Sequence, residues 1–321
     1  MRTYLTETWR LRVPVISAPM SPQAGGRLAA AVSRAGGLGM IGVAASQPVA
    51  QLVADADECH AAGVRFGIGL MTWAIEKRPE LLDAAIAARP FALALSFGDA
   101  APYAERVRDA GIELLCQVQD LKSALVAERA GATLLVAQGT EAGGHTGEVG
   151  TLPLLQIVLD AVALPVVAAG GIGSGRGLAA VLAAGAAGAW IGTRFLVAEE
   201  ARNSARAREQ LASARETDTV LTSTFDAAQG IPWPAEFRGR ALKNDFTEQW
   251  HGREPQLSND VDARRRFEAA RQAEDYRVAH LYAGQAVALS KQVEPASAIL
   301  ERIAEEAELR LRAVCQDFRR Q

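Results

Sequence analysis

The chain has 321 residues, 49% of them hydrophobic and 22% charged, which is enough apolar material for a large core and argues against a disordered chain. Its 34 Lys and Arg against 37 Asp and Glu give a formal net charge of -3. This balance argues against nucleic acid as the main partner, because phosphate binding needs clustered positive charge. Three widely spaced cysteines, Cys59, Cys116 and Cys315, form no disulfide or metal-ligand pattern. We therefore expect a reduced, cytoplasmic protein.

Neither a secretory signal nor a membrane segment is predicted. Residues 1–12 carry Arg2, Glu7, Arg10 and Arg12 and no long apolar stretch, unlike a secretory signal. The longest uncharged stretch, residues 177–193, is interrupted by glycines at positions 185, 188 and 192. It therefore predicts two short buried elements joined by a turn, and not a helix that spans a membrane.

The first two thirds of the chain repeat a pattern of helix followed by strand. Ala-Gly pairs end Ala-rich helical stretches at residues 35–36, 62–63, 110–111, 130–131 and 184–185, and a short apolar run follows each pair. With the apolar runs that lack the pair, the predicted strands are 13–18, 38–42, 64–70, 91–96, 112–118, 132–139, 166–171 and 186–193. Continuous apolar runs are typical of parallel strands that are buried on both faces. Such strand–helix units predict an α/β fold, a (β/α)8 TIM barrel, with an open doubly wound sheet as the alternative.

The composition of the sequence changes after about residue 202. A charged helical stretch, turn-rich aromatic segments and a second helical region over 260–281 follow. We expect residues 1–205 to form the barrel and residues 206–290 to form a small, mainly helical domain that covers the substrate. Residues 291–321 are expected to contain an amphipathic helix, at about 295–318, that packs back on the barrel.

Two glycine-rich strand ends predict a phosphate site. The seventh strand ends in Gly170 and Gly171, and the eighth ends in Gly192 and Thr193. A helix is expected after each strand, so free backbone N–H groups and two helix N-termini would lie side by side at the carboxyl end of the barrel. The alternative is that these glycines only permit tight turns. The GGIGSG string is not a dinucleotide fingerprint, because it lacks both the first-strand context and an acidic residue for the ribose.

His145 is the predicted acid–base residue. Of four histidines it alone lies in a glycine-flanked loop at the carboxyl end of a strand, and imidazole titrates near neutral pH. The nearby Glu141 is expected to cap the turn that follows. Gln117 and Gln138 end buried strands, and their amides would bind either a planar heterocycle or loop backbone. No metal-ligand cluster or nucleophile triad is evident beside them, so redox chemistry here would need an organic cofactor.

Several segments carry a resemblance to a known family: VISAPM with RLAAAVSRAGGLGMIG, VAQGTEAGGHTG, and VVAAGGIGSGRGLAAVLAAGAAGAWIGTRF. With WPAEFRGRALKNDFTEQWHGRE and AGQAVALSKQVEPASAIL, they make nearly the whole chain resemble the nitronate monooxygenases, formerly called 2-nitropropane dioxygenases. The resemblance implies a TIM barrel that binds FMN non-covalently beneath a helical domain. It also implies oxidation of alkyl nitronates by O2 to a carbonyl compound and nitrite, without a nicotinamide cofactor. The partners would be O2 and a small nitronate or nitroalkane. Separately from the resemblance, an Ala-rich barrel with exposed helices permits a homodimer.

The resemblance also implies roles for individual residues. His145 would act as base on a neutral nitroalkane or bind the anionic nitronate. The cofactor-binding residues would be Ala18, Pro19 and Met20 against the isoalloxazine, Gln138 and Gly143 in contact with the flavin, and Gly170, Gly171, Trp190, Ile191, Gly192 and Thr193 around the ribityl phosphate. Two further cofactor-binding candidates depart from the family pattern, since Gly69 stands where many members have Asn and Gln117 where some have Lys.

Other functions remain open at this point. An FMN-dependent enoyl-ACP reductase or an NADH:quinone reductase would use the same scaffold but would take hydride from NAD(P)H. The first would also need a basic patch for an acidic carrier protein, for which Arg238, Arg240, Lys243 and Arg253 are candidates, although scattered solvated charge is the simpler explanation. A non-catalytic subunit that binds flavin or phosphate is a further alternative, favoured only by the Asn missing at position 69.

Overall fold

The computed structural model describes residues 1–318, and parallel strands form its centre. The strands are β1 (Val15–Ser17), β2 (Gly39–Gly42), β3 (Phe66–Met71), β4 (Ala92–Ser96), β5 (Glu113–Val118), β6 (Leu134–Gln138), β8 (Val166–Ala169) and β9 (Gly188–Ile191), with β7 described below. They form one eight-stranded sheet in the order β1-β9-β8-β6-β5-β4-β3-β2, and a parallel bridge between Ile16 and Leu38 joins its two ends. Each strand overlaps one predicted run. The predicted (β/α)8 TIM barrel is therefore confirmed.

Helices alternate with these strands on the outside of the barrel. They are α1 (Tyr4–Glu7), α2 (Gly26–Arg34), α3 (Val49–Ala61), α4 (Thr72–Lys77), α5 (Glu80–Ala87), α6 (Ala101–Asp109), α7 (Leu121–Ala130), α8 (Thr151–Ala161) and α9 (Gly175–Ala183). Local sequence sets their ends. Helix α7, for example, begins with a capping box between Asp120 and Ser123 and ends at Gly131, whose φ of 90° is left-handed.

The barrel strands are buried on both faces, which explains why they are continuous apolar runs. Side chains such as Ile16, Met40 and Trp190 belong to the cluster inside the barrel. Their strand neighbours, such as Val15 and Ile191, pack under the outer helices. Because side chains fill the barrel interior, ligand binding is left to the loops at the ends of the strands.

The residues that follow the barrel add helices and a small antiparallel sheet. The helices are α10 (Ala205–Ser213), α11 (Thr224–Gln229), α12 (Asp245–Trp250), α13 (Glu254–Asn259) and α14 (Val261–Gln272). Strands β10 (Thr219–Thr222) and β11 (Arg238–Leu242) pair in the order β10-β11-β7 with β7 (Gly144–Thr146), which lies in the barrel loop after β6. Phe225, Phe246 and Phe267 form the core of this region. The expected domain 206–290 therefore contains strands as well as helices, and its boundaries stay a prediction.

The C-terminal helix α15 (Ala296–Phe318) packs across α9 and α2. It buries Ile299, Leu300, Ile303 and Ala307, which lie on one face at helical spacing. The last three residues of the expected segment 291–321 lie outside the described residues. None of the helices within residues 1–318 combines the length and the hydropathy that a membrane-spanning segment requires.

Candidate active site

A cavity of about 1050 Å³ opens at the carboxyl ends of the barrel strands, between the barrel and the residues that follow it. Its lining brings together nearly all the predicted site residues: Ala18, Pro19, Met20, Gly69, Gln117, Gln138, Gly143, His145, Gly170, Gly171, Trp190, Gly192 and Thr193. The exception is Ile191, whose side chain is buried in the layer between strands and helices. Successive side chains of a strand point to opposite faces, so Trp190 reaches the cavity and Ile191 does not.

One end of the cavity is built from the backbone of loops that approach closely. Gly170 and Gly171 have φ angles of 105° and 69°, which glycine adopts without a steric penalty. A Cβ on Gly143 would lie 2.5 Å from the backbone nitrogen of Gly284. The Gly284 N–H donates to Oγ1 of Thr193 at 2.9 Å, so the Thr193 hydroxyl can still donate its own proton to a ligand. This glycine-lined end can therefore approach an anionic group with backbone and hydroxyl donors.

The structure corrects the expectation of two helix N-termini at this end. The first N–H of α9, at Gly175, donates to the Glu306 carboxylate of α15 at 2.8 Å, and the N–H of Gly177 donates to the Ser174 hydroxyl at 3.4 Å. Because the C-terminal helix places a carboxylate there, the first N–H of α9 already has an acceptor and is not free for a phosphate. The segment after β9 is a five-residue 3-10 helix, Thr193–Val197. The phosphate site stays a prediction, and it rests on the glycine loops.

Gly69 makes room for the wall formed by residues 18–20. A Cβ on Gly69 would lie 2.3 Å from Cγ of Pro19, so the ring of Pro19 packs directly on the β3 backbone. An asparagine at position 69 would displace Pro19 from this position. The residue therefore contributes space and backbone, and the amide contact that many family members would make from this strand is absent.

Three glutamine side chains form a hydrogen-bonded group on another wall. Nε2 of Gln117 and Nε2 of Gln119 both donate to Oε1 of Gln138, at 2.8 Å and 2.9 Å. Nε2 of Gln138 donates in turn to the backbone oxygen of His145 at 3.1 Å. Gln138 therefore binds loop backbone and also lines the cavity. Its contact with the loop backbone does not exclude a contact with a planar heterocycle. Sequence reasoning missed Gln119, although it lies two residues after Gln117.

The His145 side chain is buried against a carboxylate that sequence reasoning missed. Nε2 of His145, on β7, lies 3.0 Å from both carboxylate oxygens of Asp226, on α11, and the two side chains are 6% and 8% exposed. A carboxylate can only accept, so Nε2 carries the proton and Nδ1 holds the free lone pair. The hydroxyl of Tyr282 donates to Oδ1 of Asp226 at 3.4 Å. The site therefore holds an oriented imidazole with a buried negative charge behind it.

Two further ionisable side chains beside this pair stay neutral. Burial raises the pKa of Tyr282 well above its ordinary value, and the Asp226 charge raises it further, so the phenol remains a hydrogen-bond donor. Burial also lowers the pKa of His280 to about 4, with the Arg271 charge adding to the effect. The His280 ring lies among Phe225, Phe267 and Tyr282. The His280 ring therefore packs within the aromatic core, although it also touches the cavity.

Three large aromatic side chains, Trp73, Phe97 and Trp233, form a cluster beside the imidazole, and we call them the aromatic wall. The ring of Trp233 stacks on His145 with centroids 3.4 Å apart and planes 9° apart. Trp73 and Phe97 contact Trp233 edge-to-face at 5.1 Å and 5.0 Å. All three line the cavity. The IPWP segment at residues 231–234 can be recognised in the sequence as a turn-rich aromatic segment, but nothing in the local sequence connects it with His145.

Four of the remaining charged candidates, Glu141, Arg238, Arg240 and Lys243, have structural partners, and the fifth, Arg253, is exposed. The Glu141 carboxylate accepts from the backbone N–H and the hydroxyl of Thr151, at 2.8 Å and 2.9 Å, so it joins the loop after β6 to the first turn of α8 and does not cap the turn that directly follows it. Arg240 is buried and donates to the backbone oxygen of Thr140 at 2.7 Å. Lys243 donates to a backbone oxygen, and Arg238 forms an ion pair on the surface. This arrangement does not favour a basic docking patch.

Comparison with known proteins gives concordant results. The family model described as nitronate monooxygenase matches residues 82–306. A probable nitronate monooxygenase of Staphylococcus aureus strain JH9 is 34% identical over 214 residues, which cover 62% of this chain and 57% of that protein. The match thus spans little more than half the length of that relative.

Two solved structures resemble the chain along almost its whole length. FabK from Thermotoga maritima superposes with a TM-score of 0.86 at 28% identity, covering 98% of this chain and 99% of that one. A nitroalkane oxidase from Streptomyces ansochromogenes superposes with a TM-score of 0.81 at 28% identity, covering 97% and 100%. The resemblance inferred from the sequence motifs is confirmed, and the chain belongs to the nitronate monooxygenase family.

Proposed function

We propose that the protein is an FMN-dependent oxidoreductase that converts alkyl nitronates and O2 into a carbonyl compound and nitrite. Membership of the nitronate monooxygenase family supports flavin chemistry. The observation that carries the proposal is the buried pair of His145 and Asp226 in the same cavity as the glycine-lined end. An oriented base and an anion-binding loop in one cavity suit a phosphate-bearing cofactor and a substrate that must lose a proton.

The residues present fit FMN. The glycine-lined end, with Thr193, would hold the phosphate through backbone and hydroxyl donors. Gln117 and Gln138 line the cavity and keep amide hydrogens that their mutual hydrogen bonds do not use, so they would meet the polar edge of the ring system. Residues 18–20 would lie against its face. When bound, the flavin supplies an acceptor for the electrons of the substrate and a route for them to O2.

His145 would move the proton. Its Nδ1 lone pair would take the proton from the carbon that bears the nitro group of a neutral nitroalkane. The Asp226 carboxylate would stabilise the imidazolium that forms, because the pair is shielded from solvent. Tyr282 would hold Asp226 in place through its hydroxyl. With a preformed nitronate no proton need be removed, and the imidazolium, with a proton on Nδ1 as well as on Nε2, would bind the anion.

Anaerobic stopped-flow absorbance of the purified yellow protein tests this function. We expect ethylnitronate to bleach the flavin absorbance and NADH to leave it unchanged. Bleaching by NADH alone would contradict the proposal and favour the reductase alternatives. Bleaching by neither reagent, with flavin bound, would favour a non-catalytic flavin-binding subunit. Chromatography of the released cofactor against FMN and FAD standards tests the identity of the flavin.

We also propose that residues 206–290 act as the cap of the active site, on a barrel formed by residues 1–205. The support is that this region contributes Asp226, Trp233 and Tyr282 to the cavity lining. A cytoplasmic location is likewise proposed, and it is supported by Cys59 and Cys116, which are free and buried. The homodimer that the Ala-rich exposed helices of the barrel permit stays a prediction.

A further inference from the structure

The aromatic wall offers ring faces and edges to whatever lies against His145. Trp233 and Phe97 meet at 83°, and Trp73 and Trp233 meet at 65°, so their edge-to-face contacts hold the rings at steep angles to one another. Phe237 supports Phe97 from behind at 5.3 Å. A group that enters beside the imidazole therefore meets aromatic carbon on several sides.

The backbone of the wall shows that the rings are held in place. Phe97 has a φ of 64°, a left-handed conformation that is uncommon for a bulky residue. The Thr72 hydroxyl donates to the backbone oxygen of Phe97 at 2.8 Å and stabilises this turn. Strain of this kind persists where the surrounding structure fixes it, commonly at ligand sites. Trp233 lies between Pro232 and Pro234, whose fixed φ angles restrict how the tryptophan is presented.

The wall also contains a hydrogen-bond donor without a protein acceptor. Nε1 of Trp73 is buried and has no partner among the described residues. Buried indole N–H groups normally find an acceptor, so this one is available to a polar atom of a ligand or to water. The ammonium of Lys77 lies 5.9 Å from the Trp73 ring, at the cavity lining, and favours approach of an anion.

We propose that the aromatic wall is a substrate subsite that selects nitro compounds whose substituent is aromatic or otherwise planar and uncharged. The inference rests on the proposed function and names its substrate class. The 3.4 Å stack of Trp233 on His145 leaves no room between the two rings, so a planar substituent would pack against the cavity side of the wall or take the place of Trp233 over the imidazole. A saturated, branched substituent is too thick to stack and would use only the apolar character of the wall.

Binding of two inert nitro compounds tests the subsite. Nitrobenzene and tert-nitrobutane have no proton on the carbon that bears the nitro group, so neither is consumed. Their dissociation constants would be measured by isothermal titration calorimetry with the flavin-loaded protein. Stacking contributes about 0.5–1.5 kcal/mol, so nitrobenzene should bind roughly threefold to tenfold more tightly. Trp233→Leu should remove this preference and Trp233→Phe should keep it.

Matched variants make the result decisive. Trp250→Leu removes a tryptophan of the Phe225–Phe246–Phe267 core that does not line the cavity, so it should leave the preference unchanged. If the Trp233→Leu variant fails to fold, Trp73→Leu removes the neighbouring ring of the aromatic wall and tests the same preference. Equal binding of the two compounds by the unaltered protein would overturn the subsite. A preference for nitrobenzene that survives both Trp233→Leu and Trp73→Leu would overturn it as well. Failure of ethylnitronate to reduce the flavin would instead contradict the proposed function and leave this binding comparison valid.

Discussion

Replacing Asp226 with asparagine would remove the negative charge behind His145 and keep the shape of the side chain. The carboxylate lies 3.0 Å from Nε2 and is 8% exposed, so solvent screens the pair little. A hydrogen bond to a charged group contributes about 1.5–3 kcal/mol and a neutral one about 0.5–1.5 kcal/mol, so the imidazolium formed by proton abstraction loses about 1–1.5 kcal/mol of stabilisation. This corresponds to a roughly tenfold loss in the rate of proton removal.

The assay compares turnover of neutral nitroethane with turnover of preformed ethylnitronate. Asp226→Asn should lower kcat/KM for nitroethane about tenfold and lower that for ethylnitronate by a smaller factor, because the nitronate has already lost its proton and only its binding by the imidazolium is weakened. Asp262→Asn is the matched control, since its side chain lies on α14 and is 94% exposed. Equal losses with both substrates would show that Asp226 only maintains the structure of the cap, and unchanged nitroethane turnover would refute its role in positioning the base.

Three further outcomes are expected. His145→Asn should keep the bound flavin and lose most nitroethane turnover, and undiminished turnover would remove His145 from the mechanism. Gly171→Asp should abolish retention of FMN for two reasons. The φ of 69° at this position strains any residue with a Cβ, and the position at the cavity lining puts the carboxylate charge at the phosphate end. Gly111→Asp, at φ 71° in open space, should stay yellow and controls for backbone strain. The pKa of His280 in the folded state, about 4, lies below the 6.5 of the unfolded chain, so the unfolded state gains the extra proton as pH falls. The free energy of unfolding should therefore fall by about 2 kcal/mol between pH 8 and pH 5, and urea titrations should show a weaker pH dependence for His280→Phe.

The strands of the barrel could be predicted from the sequence because their burial leaves a local signature. A parallel strand covered on both faces must be apolar at every position, and a helix that ends at a glycine marks where the strand begins. The glycines at 170–171 and His145 were found for the same reason, since both stand out at the end of an apolar run.

The small sheet left no such signature. Strand β7 has three residues, Gly144–Thr146, and pairs with β11 of the cap, so that His145 lies opposite Gly239. A strand this short shows no alternation from which pairing could be inferred. The pairing nevertheless decides how the imidazole is presented, because it joins the loop after β6 to the cap.

What the sequence by itself determined is therefore the set of barrel strands and the residues at their ends, because backbone preference and burial act over a few neighbouring positions. What only the tertiary structure decided is which distant side chains meet. Asp226 reaches His145 across 81 positions of the chain, and Glu306 reaches the N-terminus of α9 across 131. These contacts form only when the cap and the C-terminal helix pack on the barrel, since packing alone brings such groups within hydrogen-bond distance.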